Sequence, residues 1–178
     1  MSTRPDREAM PYRDCVGIAL FNAAGDVFIG HRKSEGDPEE SAKRGQAWQM
    51  PQGGIDKGED PLGAALRELY EETNIRTVSL LAEAPEWIYY DLPDEALGIA
   101  FKGKYRGQRQ RWFAFALTGP DSEIDVLRPG GGKFPAEFNA WRWERLERTP
   151  ALIVGFKREA YRQVAAAFAD IPARLTGR

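Results

Sequence analysis

The sequence has little of what several classes of protein require. Cys15 is the only cysteine among 178 residues, which excludes an intrachain disulfide and a metal cluster held by cysteines. His31 is the only histidine, and because a lone histidine on a strand is more often structural than catalytic, we expect no chemical role for it. No run approaches the ~18 apolar residues that cross a bilayer, and the first residues lack a signal-like apolar core. We therefore expect a cytoplasmic protein without membrane contact.

A strong charge of either sign is also absent. The chain has 25 Lys and Arg against 27 Asp and Glu, a net charge of −2, so any contact with nucleotides must use a local basic patch. Hydrophobic residues make up 42% and charged residues 29%, which is typical of one soluble globular domain. We expect a flexible segment at 1–12, a single domain at 13–170 and a tail at 171–178. Nothing in the composition indicates an obligate protein partner.

Apolar periodicity predicts a sheet combined with two long helices. A polar loop is expected at 33–46 and a glycine-rich loop at 128–138. Helices are predicted at 59–73 and 150–169. Strands are predicted at 15–21, 27–32, 47–52, 76–92, 107–118 and 139–146. Strands outside two helices favour an α/β sandwich built on a mixed sheet.

The helix at 59–73 has the clearest sequence signals. Asp60 is a suitable N-cap, and Pro61 fits the first helical position. Its predicted packing face is mostly apolar and comprises Leu62, Ala65, Leu66, Leu69 and Thr73. The glutamates of this helix are expected on a different face.

Three of those glutamates, Glu68, Glu71 and Glu72, are spaced i, i+3 and i+4 and share one helix surface. Like charges at this spacing destabilise a bare helix, so a cation is expected beside them. Clustered hard oxygen ligands suit Mg²⁺ or Mn²⁺. The spacing therefore indicates metal-assisted phosphate chemistry, with Glu68 and Glu72 as the best ligands and Glu71 as a third ligand or a bridge through water.

The same segment resembles the Nudix signature. That signature is a glycine, five residues, Glu, seven residues, and then Arg-Glu-hydrophobic-x-Glu-Glu-x-Gly-hydrophobic. The matching residues are Gly53, Glu59, Arg67, Glu68, Leu69, Glu71, Glu72 and Ile75. Asn74 stands where the family has glycine, which affects the helix stop and no metal ligand. The resemblance implies the Nudix fold, an α/β/α sandwich with a central mixed sheet.

Five further segments resemble one branch of that family, the bacterial RNA pyrophosphohydrolases and dinucleoside polyphosphate hydrolases. They are YRDCVGI (12–18), WQMPQGGI (48–55), GQRQRWF (107–113), EFNAWRW (137–143) and VGFKREAY (154–161). The resemblance implies metal-dependent cleavage of a phosphoanhydride in a 5′-polyphosphate chain, with 5′-triphosphate RNA as the leading substrate. Diadenosine tetraphosphate or a related dinucleotide is the alternative. A nucleotide-sensing module without turnover is an alternative from another class.

The resemblance also assigns roles. It implies that the Gly53 carbonyl completes the inner metal shell, that two or more ions are bound, and that Glu137 is the downstream catalytic glutamate. Glu123 and Asp125 are alternatives to Glu137. Arg67 is expected to orient the glutamates through ion pairs with Glu59 or Glu71. The general base is Glu71 or Glu137, and spacing does not decide between them.

The substrate side is expected to be cationic and partly aromatic. Arginine binds phosphate through a bidentate fork and lysine as a point charge. The cationic candidates in the matching segments are Arg13, Arg32, Arg109, Arg111 and Lys157. Phe156 and Tyr90 are candidates for stacking on a base, with core packing as the alternative. For Arg109 and Arg111, which are expected to share one strand face, the alternative is a solvated edge strand.

Overall fold

The computed structural model describes residues 5–33 and 47–177; most of the loop predicted at 33–46 lies outside them. The strands are β1 (Tyr12–Phe21), β2 (Val27–Arg32), β3 (Trp48–Gln49), β4 (Gln52–Gly54), β5 (Val78–Glu83), β6 (Ile88–Asp91), β7 (Gly107–Leu117) and β8 (Phe138–Glu144). The α-helices are α1 (Pro61–Thr73), α2 (Thr149–Leu152), α3 (Arg158–Ala167) and α4 (Ile171–Thr176). Short 3-10 turns cover Arg7–Ala9, Ala100–Gly103, Asp121–Glu123, Pro129–Gly131, Leu146–Arg148 and Gly155–Lys157.

All the strands of the described chain form one mixed sheet. β1 and β7 lie side by side and parallel at its centre, from Tyr12 opposite Gly107 to Phe21 opposite Ala116. Every other pairing is antiparallel: β5 and β6 lie along β7, β4 along β1, and β3 and β8 on either side of β2. The prediction of a mixed sheet is therefore confirmed.

Side chains alternate across β1 and so supply two separate cores. Val16, Ile18 and Leu20 pack in one cluster with residues of α1. Ala19 and Phe21 pack in the other cluster, which contains residues of α3 and the first residue of α4. The sheet thus lies between helices on both faces, which is the predicted α/β/α sandwich.

Helix α1 begins and ends through the contacts its sequence suggests. The Asp60 side chain accepts a hydrogen bond from the Gly63 N–H at 3.1 Å, which satisfies an otherwise unpaired donor at the helix start. Asn74 ends the helix in the left-handed conformation with φ of 69°. Its side chain also donates to the Glu123 carbonyl and accepts from the Gly130 N–H, at 2.9 and 3.0 Å. Asparagine therefore serves in place of glycine and adds two contacts to the loops beyond β7.

Two predicted elements are interrupted in the structure. The strand predicted at 76–92 is divided into β5 and β6. The Ala84 N–H still bonds to the Trp112 carbonyl of β7, but the next residue, Pro85, has no N–H for the sheet. The helix predicted at 150–169 is broken where Ile153 adopts an extended conformation, and its main part is α3.

The predicted packing face of α1 also needs correction. Leu66 is 41% exposed, whereas Ala64 and Glu72 are buried. Residues 171–178, expected as a tail, include α4, and Ile171 belongs to the core on the α3 face. Within the described ranges, no helix has the length and apolar character needed to cross a membrane.

Candidate active site

Arg67 ties together the acidic surface of α1. Its Nε and Nη2 donate to the two carboxylate oxygens of Glu59, both at 2.8 Å. Its Nη1 donates to Glu68 at 2.8 Å and to Glu71 at 3.2 Å, and Nη2 also donates to the Gly54 carbonyl at 2.9 Å. The predicted ion pairs are present. A bidentate pair combined with a backbone contact fixes the arginine more firmly than an ordinary surface ion pair.

The charge distribution follows from these contacts. The hydrogen bonds of Arg67 lower the pKa of Glu59 to about 2. Glu59 in turn raises the pKa of the Arg67 guanidinium. Burial raises the pKa of Glu68, although Arg67 opposes the change. Arg67 therefore neutralises the side of the cluster around Glu59.

Gly53 on β4 lies directly against Glu68. A Cβ at this position would overlap the carboxyl carbon and both carboxylate oxygens of Glu68. A Cβ at Gly54, in turn, would overlap the guanidinium of Arg13. The two glycines thus allow a backbone strand to contact a carboxylate and an arginine closely. This is the physical reason for glycine ahead of the acidic helix.

Glu72 is the least expected member of the cluster, because it is only 7% exposed. Burial raises its pKa well above the usual value, and the nearby charges of Glu68 and Glu137 raise it further. The Gln52 N–H donates to its Oε2 at a long 3.4 Å. Within residues 5–33 and 47–177, Glu72 makes no ion pair with a lysine or arginine. A buried carboxylate with carboxylate neighbours is stabilised by a cation.

The structure separates Glu137 from its two alternatives. Glu137 lies just before β8, and its charge acts on Glu72. The Glu123 carboxylate instead accepts hydrogen bonds from the N–H groups of Arg76 and Thr77. Asp125 accepts from the N–H groups of Leu127 and Arg128. Those two carboxylates stabilise loops at the end of α1, whereas Glu137 is the one of the three whose charge acts on Glu72.

A divalent ion fits the donor types gathered here. The cluster offers carboxylate oxygens from Glu68, Glu71, Glu72 and Glu137, beside the backbone of Gly53, and hard oxygens suit Mg²⁺ and Mn²⁺. The carboxylates are not arranged as a closed cage: in the described part of the chain no three acidic, His or Cys side chains converge on one point. Glu68 instead accepts from Arg67.

On the α3 face, Tyr90, Phe156 and Lys157 are brought together. The Tyr90 and Phe156 ring centroids are 5.7 Å apart, and the Lys157 Nζ lies 5.2 Å from the first and 5.9 Å from the second. Tyr90 is buried and Phe156 is 38% exposed. Tyr90 therefore packs in the core, while part of Phe156 is accessible. Burial, followed by the charge of Arg32, lowers the pKa of Lys157 to about 8.

Arg13 and Arg32 lie at the same end of the molecule. The Arg13 guanidinium is 5.4 Å from the Phe101 ring centroid and lies beside Gly54. Its charge acts on Glu68, whereas the charge of Arg32 acts on both Glu72 and Lys157. These two arginines therefore interact both with the acidic surface of α1 and with the lysine and aromatic rings on the other side of the site.

Arg109 and Arg111 are placed differently. Both lie over the Trp87 ring, at 4.3 and 5.3 Å from its centroid. Arg109 pairs with Asp14 at 2.6 Å, and Arg111 pairs with Glu83. They share one face of β7, opposite Gln108 and Gln110, as the alternation of these residues predicts. β7 is an interior strand, so the alternative of an edge strand was wrong.

Sequence reasoning missed a buried row of amides. Gln108 and Gln110 of β7 are buried and hydrogen-bonded to each other, and Gln110 also bonds to Gln52. The available signal was the alternation of glutamine and arginine in QRQR, which places the amides on the face of Trp112.

An α/β/α sandwich with an acidic helix beside lysine, arginine and aromatic side chains is the arrangement expected of a phosphoanhydride hydrolase. The sequence profile of the NUDIX domain matches residues 11–164. The chain belongs to the Nudix family, as its motif predicts. Enzymes of this family generally use divalent metal ions.

The chain is similar over nearly its whole length to named bacterial proteins. It is 59% identical to the RNA pyrophosphohydrolase of Mesorhizobium japonicum over 166 residues, covering 93% of this chain and 95% of that one. It is 58% identical to the RNA pyrophosphohydrolase of Rhizobium meliloti, covering 92% and 97%.

Solved structures agree on the fold alone. The E. coli dihydroneopterin triphosphate pyrophosphohydrolase has a TM-score of 0.61 at 19% identity, covering 86% of this chain and 96% of that one. A C. elegans Ap4A hydrolase binary complex has a TM-score of 0.58 at 20% identity, covering 88% and 98%. These likenesses confirm the predicted Nudix architecture.

Proposed function

We propose that this enzyme is an RNA 5′-pyrophosphohydrolase. It hydrolyses a phosphoanhydride of 5′-triphosphate RNA, releases pyrophosphate and leaves a 5′-monophosphate end. The observation that carries the proposal is the near full-length similarity to relatives named RNA pyrophosphohydrolase. The intact acidic cluster beside Lys157 supports it. A cytoplasmic location belongs to the same proposal, because RNA is made there.

The metal assignment is part of the proposal. Glu68, Glu72 and the Gly53 carbonyl would hold Mg²⁺ or Mn²⁺, with Glu71 and Glu137 completing the site for two or more ions. Divalent ions there would neutralise the phosphate oxygens and lower the pKa of the attacking water. The uncompensated burial of Glu72 supports this assignment.

The chain's own residues have separable tasks. Arg67 holds Glu68 and Glu71 in place from the side of Glu59. Of the two candidates for general base, we favour Glu137, because an oxygen of Glu71 already accepts an Arg67 N–H. Comparing the pH profiles of kcat for Glu71→Gln and Glu137→Gln tests this choice. If only Glu71→Gln lost the fall of kcat at low pH, Glu71 would be the general base instead.

The cationic wall binds the substrate. Lys157, Arg13 and Arg32 are assigned to the phosphates, because their charges surround the acidic cluster. The accessible part of Phe156 is assigned to a base, where stacking contributes roughly 1–3 kcal/mol, and Tyr90 supports that ring from beneath. Arg109 and Arg111 are already paired with carboxylates. We place them outside the phosphate site, at most in contact with more distant parts of the RNA.

Cleavage of dinucleoside polyphosphates remains the alternative activity, because the acidic cluster acts on phosphates and not on what they carry. A non-catalytic sensing role is disfavoured, since Glu59, Arg67, Glu68, Glu71 and Glu72 are all present. Tight nucleotide binding with Mg²⁺ but without product release would support that role instead.

The deciding experiment is product analysis on 5′-triphosphate RNA beside diadenosine tetraphosphate, with the same metal and enzyme concentration. We expect faster release of pyrophosphate from RNA, and a 5′-monophosphate end on the product. Faster cleavage of the dinucleotide would transfer the assignment to the alternative. If neither substrate were cleaved, both assignments would be contradicted.

A further inference from the structure

Three glutamines and one tryptophan form a hydrogen-bonded ladder on the α3 face of the sheet. Trp112 Nε1 donates to Gln110 Oε1 at 2.9 Å. Gln110 Nε2 then donates to Gln52 Oε1 and to Gln108 Oε1, both at 2.9 Å. Trp112, Gln108 and Gln110 are at most 3% exposed. Buried networks of this kind fix the orientation of their members when every bond is made.

The direction of the ladder is set at one end. An indole N–H can only donate, so Gln110 has to turn its carbonyl toward Trp112 and its NH₂ group away. Gln52 and Gln108 must then both turn their side-chain carbonyls toward that NH₂ group. Trp112 itself cannot shift easily, because a side chain at Gly17 would overlap its ring and Tyr161 packs edge-to-face at 5.7 Å.

The other ends of the ladder lie beside residues of the candidate active site. Gln108 is opposite Arg13 on one neighbouring strand and opposite Tyr90 on the other. Gln52 precedes Gly53, and its N–H donates to Glu72. Within residues 5–33 and 47–177, no acceptor is bonded to the Nε2 of either Gln52 or Gln108. Gln108 is only 3% exposed, but its Nε2 is not among the fully buried unpaired side-chain atoms of the described chain, so this NH₂ group reaches the surface and is free to donate to a ligand or water.

We propose that Trp112 and Gln110 are positioning residues that hold Gln52 and Gln108 with their NH₂ groups toward the substrate. This side of the candidate site therefore binds hydrogen-bond acceptors and rejects donors. The acceptors are phosphate oxygens or the oxygens and ring nitrogens of a nucleoside. The inference rests on the proposed function, because it concerns the same site.

The test reverses the ladder without removing it. In its ionised form, Gln110→Glu keeps an acceptor for Trp112 and has no donors, so both neighbouring amides must turn their NH₂ groups inward. Gln110→Met removes the polarity and leaves the amides free to turn. Gln163→Glu, on the exposed surface of α3, controls for the added charge. Gln108→Glu, which replaces the donor directly, provides a second variant should Gln110→Glu fail to fold.

The readouts are kcat and the dissociation constants of 5′-triphosphate RNA and inorganic tripolyphosphate by calorimetry. We expect Gln110→Glu and Gln108→Glu to weaken RNA binding by roughly 10-fold or more, the loss typical of a hydrogen bond to a charged group. Gln110→Met should weaken it less, and in every variant the loss should appear in the dissociation constant more than in kcat. If these residues had only a structural role, the loss of RNA binding in each variant would instead parallel its loss of thermal stability.

The two ligands distinguish the sources of the acceptor. Weaker binding of tripolyphosphate as well as RNA assigns the amides to phosphate, whereas weaker binding of RNA alone assigns them to the nucleoside. Unchanged RNA binding in the glutamate variants, or equal losses in Gln110→Met and Gln110→Glu, would overturn the inference. If wild-type enzyme bound RNA but released no pyrophosphate, only the proposed function would fail.

Discussion

Replacing Gly53 with alanine adds one methyl group at the point where β4 meets the acidic helix. That methyl group would overlap the carboxyl group of Glu68. Gly53 does not have a positive φ, so alanine creates no backbone strain. The carboxyl group is the far end of a flexible side chain, so we expect Glu68 to move while the backbone stays in place.

The size of the effect follows from the overlap. Restoring an ordinary carbon–carbon separation of ~3.5–4.0 Å requires the carboxylate to move by more than about 1 Å. A misplacement of ~1 Å in a catalytic group can reduce the rate by about 10²-fold. The fold should lose little, because the hydrogen bonds of Arg67 to Glu59 and to the Gly54 carbonyl remain. We therefore predict a loss of about 100-fold in kcat, with thermal stability nearly unchanged.

Gly63→Ala provides the matched control on the adjoining helix. A Cβ at Gly63 would approach only Asp60, at 3.9 Å, and alanine in a helix is more stable than glycine by roughly 0.5–1 kcal/mol. The assay is release of pyrophosphate from 5′-triphosphate RNA, with thermal unfolding in parallel. Wild-type activity in Gly53→Ala would refute the close contact between this backbone and Glu68. A loss of fold would refute the separation of stability from activity.

Three further predictions concern charge. Glu72→Gln should abolish most activity and raise the unfolding temperature of the metal-free protein at neutral pH, because burial disfavours the Glu72 carboxylate; a lower unfolding temperature would contradict this. The pKa of Glu59 is lowered from its ordinary value of 4.5 to about 2, so the ion pair of Glu59 with Arg67 stabilises the fold above about pH 4.5. This stabilisation is lost as the pH falls from there toward 2. Glu59→Gln should therefore lower the free energy of unfolding by about 1–2 kcal/mol near neutral pH and by much less near pH 2, as measured with urea. The Lys157 pKa of about 8 predicts that kcat/KM falls as the pH rises above 8; Lys157→Ala should remove this limb and flatten the salt dependence by about one charge. An unchanged salt slope would place Lys157 outside the phosphate site.

Helix α1 and its acidic surface could be predicted from the sequence, because both depend on the spacing of residues that are close along the chain. Asp60, Pro61 and Asn74 define the helix ends in the structure much as their types predict. The pair of Arg67 with Glu71 follows from the i, i+4 spacing on the helix, whereas the pair with Glu59 depends on the turn that precedes the helix. A resemblance that covers most of the chain supplied the fold and the proximity of Glu137 to this helix.

The remaining features depend on contacts between distant segments. Periodicity placed Leu66 in the core and the glutamates outside it, but β4 covers Glu72 and leaves Leu66 exposed. Arg109 and Arg111 fitted a phosphate site by residue type, yet their partners Asp14 and Glu83 lie on other strands. The orientation of Gln110 likewise depends on Trp112, which only the tertiary structure aligns.

Direct titration with Mn²⁺ tests the central claim that the acidic surface of α1 binds divalent ions. The electron paramagnetic resonance signal of free Mn²⁺ should fall as wild-type protein is added, which reports bound ions. Glu72→Gln should weaken this binding strongly, whereas Gly63→Ala should leave it unchanged. Equal Mn²⁺ binding by wild type and Glu72→Gln, with both proteins folded, would contradict the account.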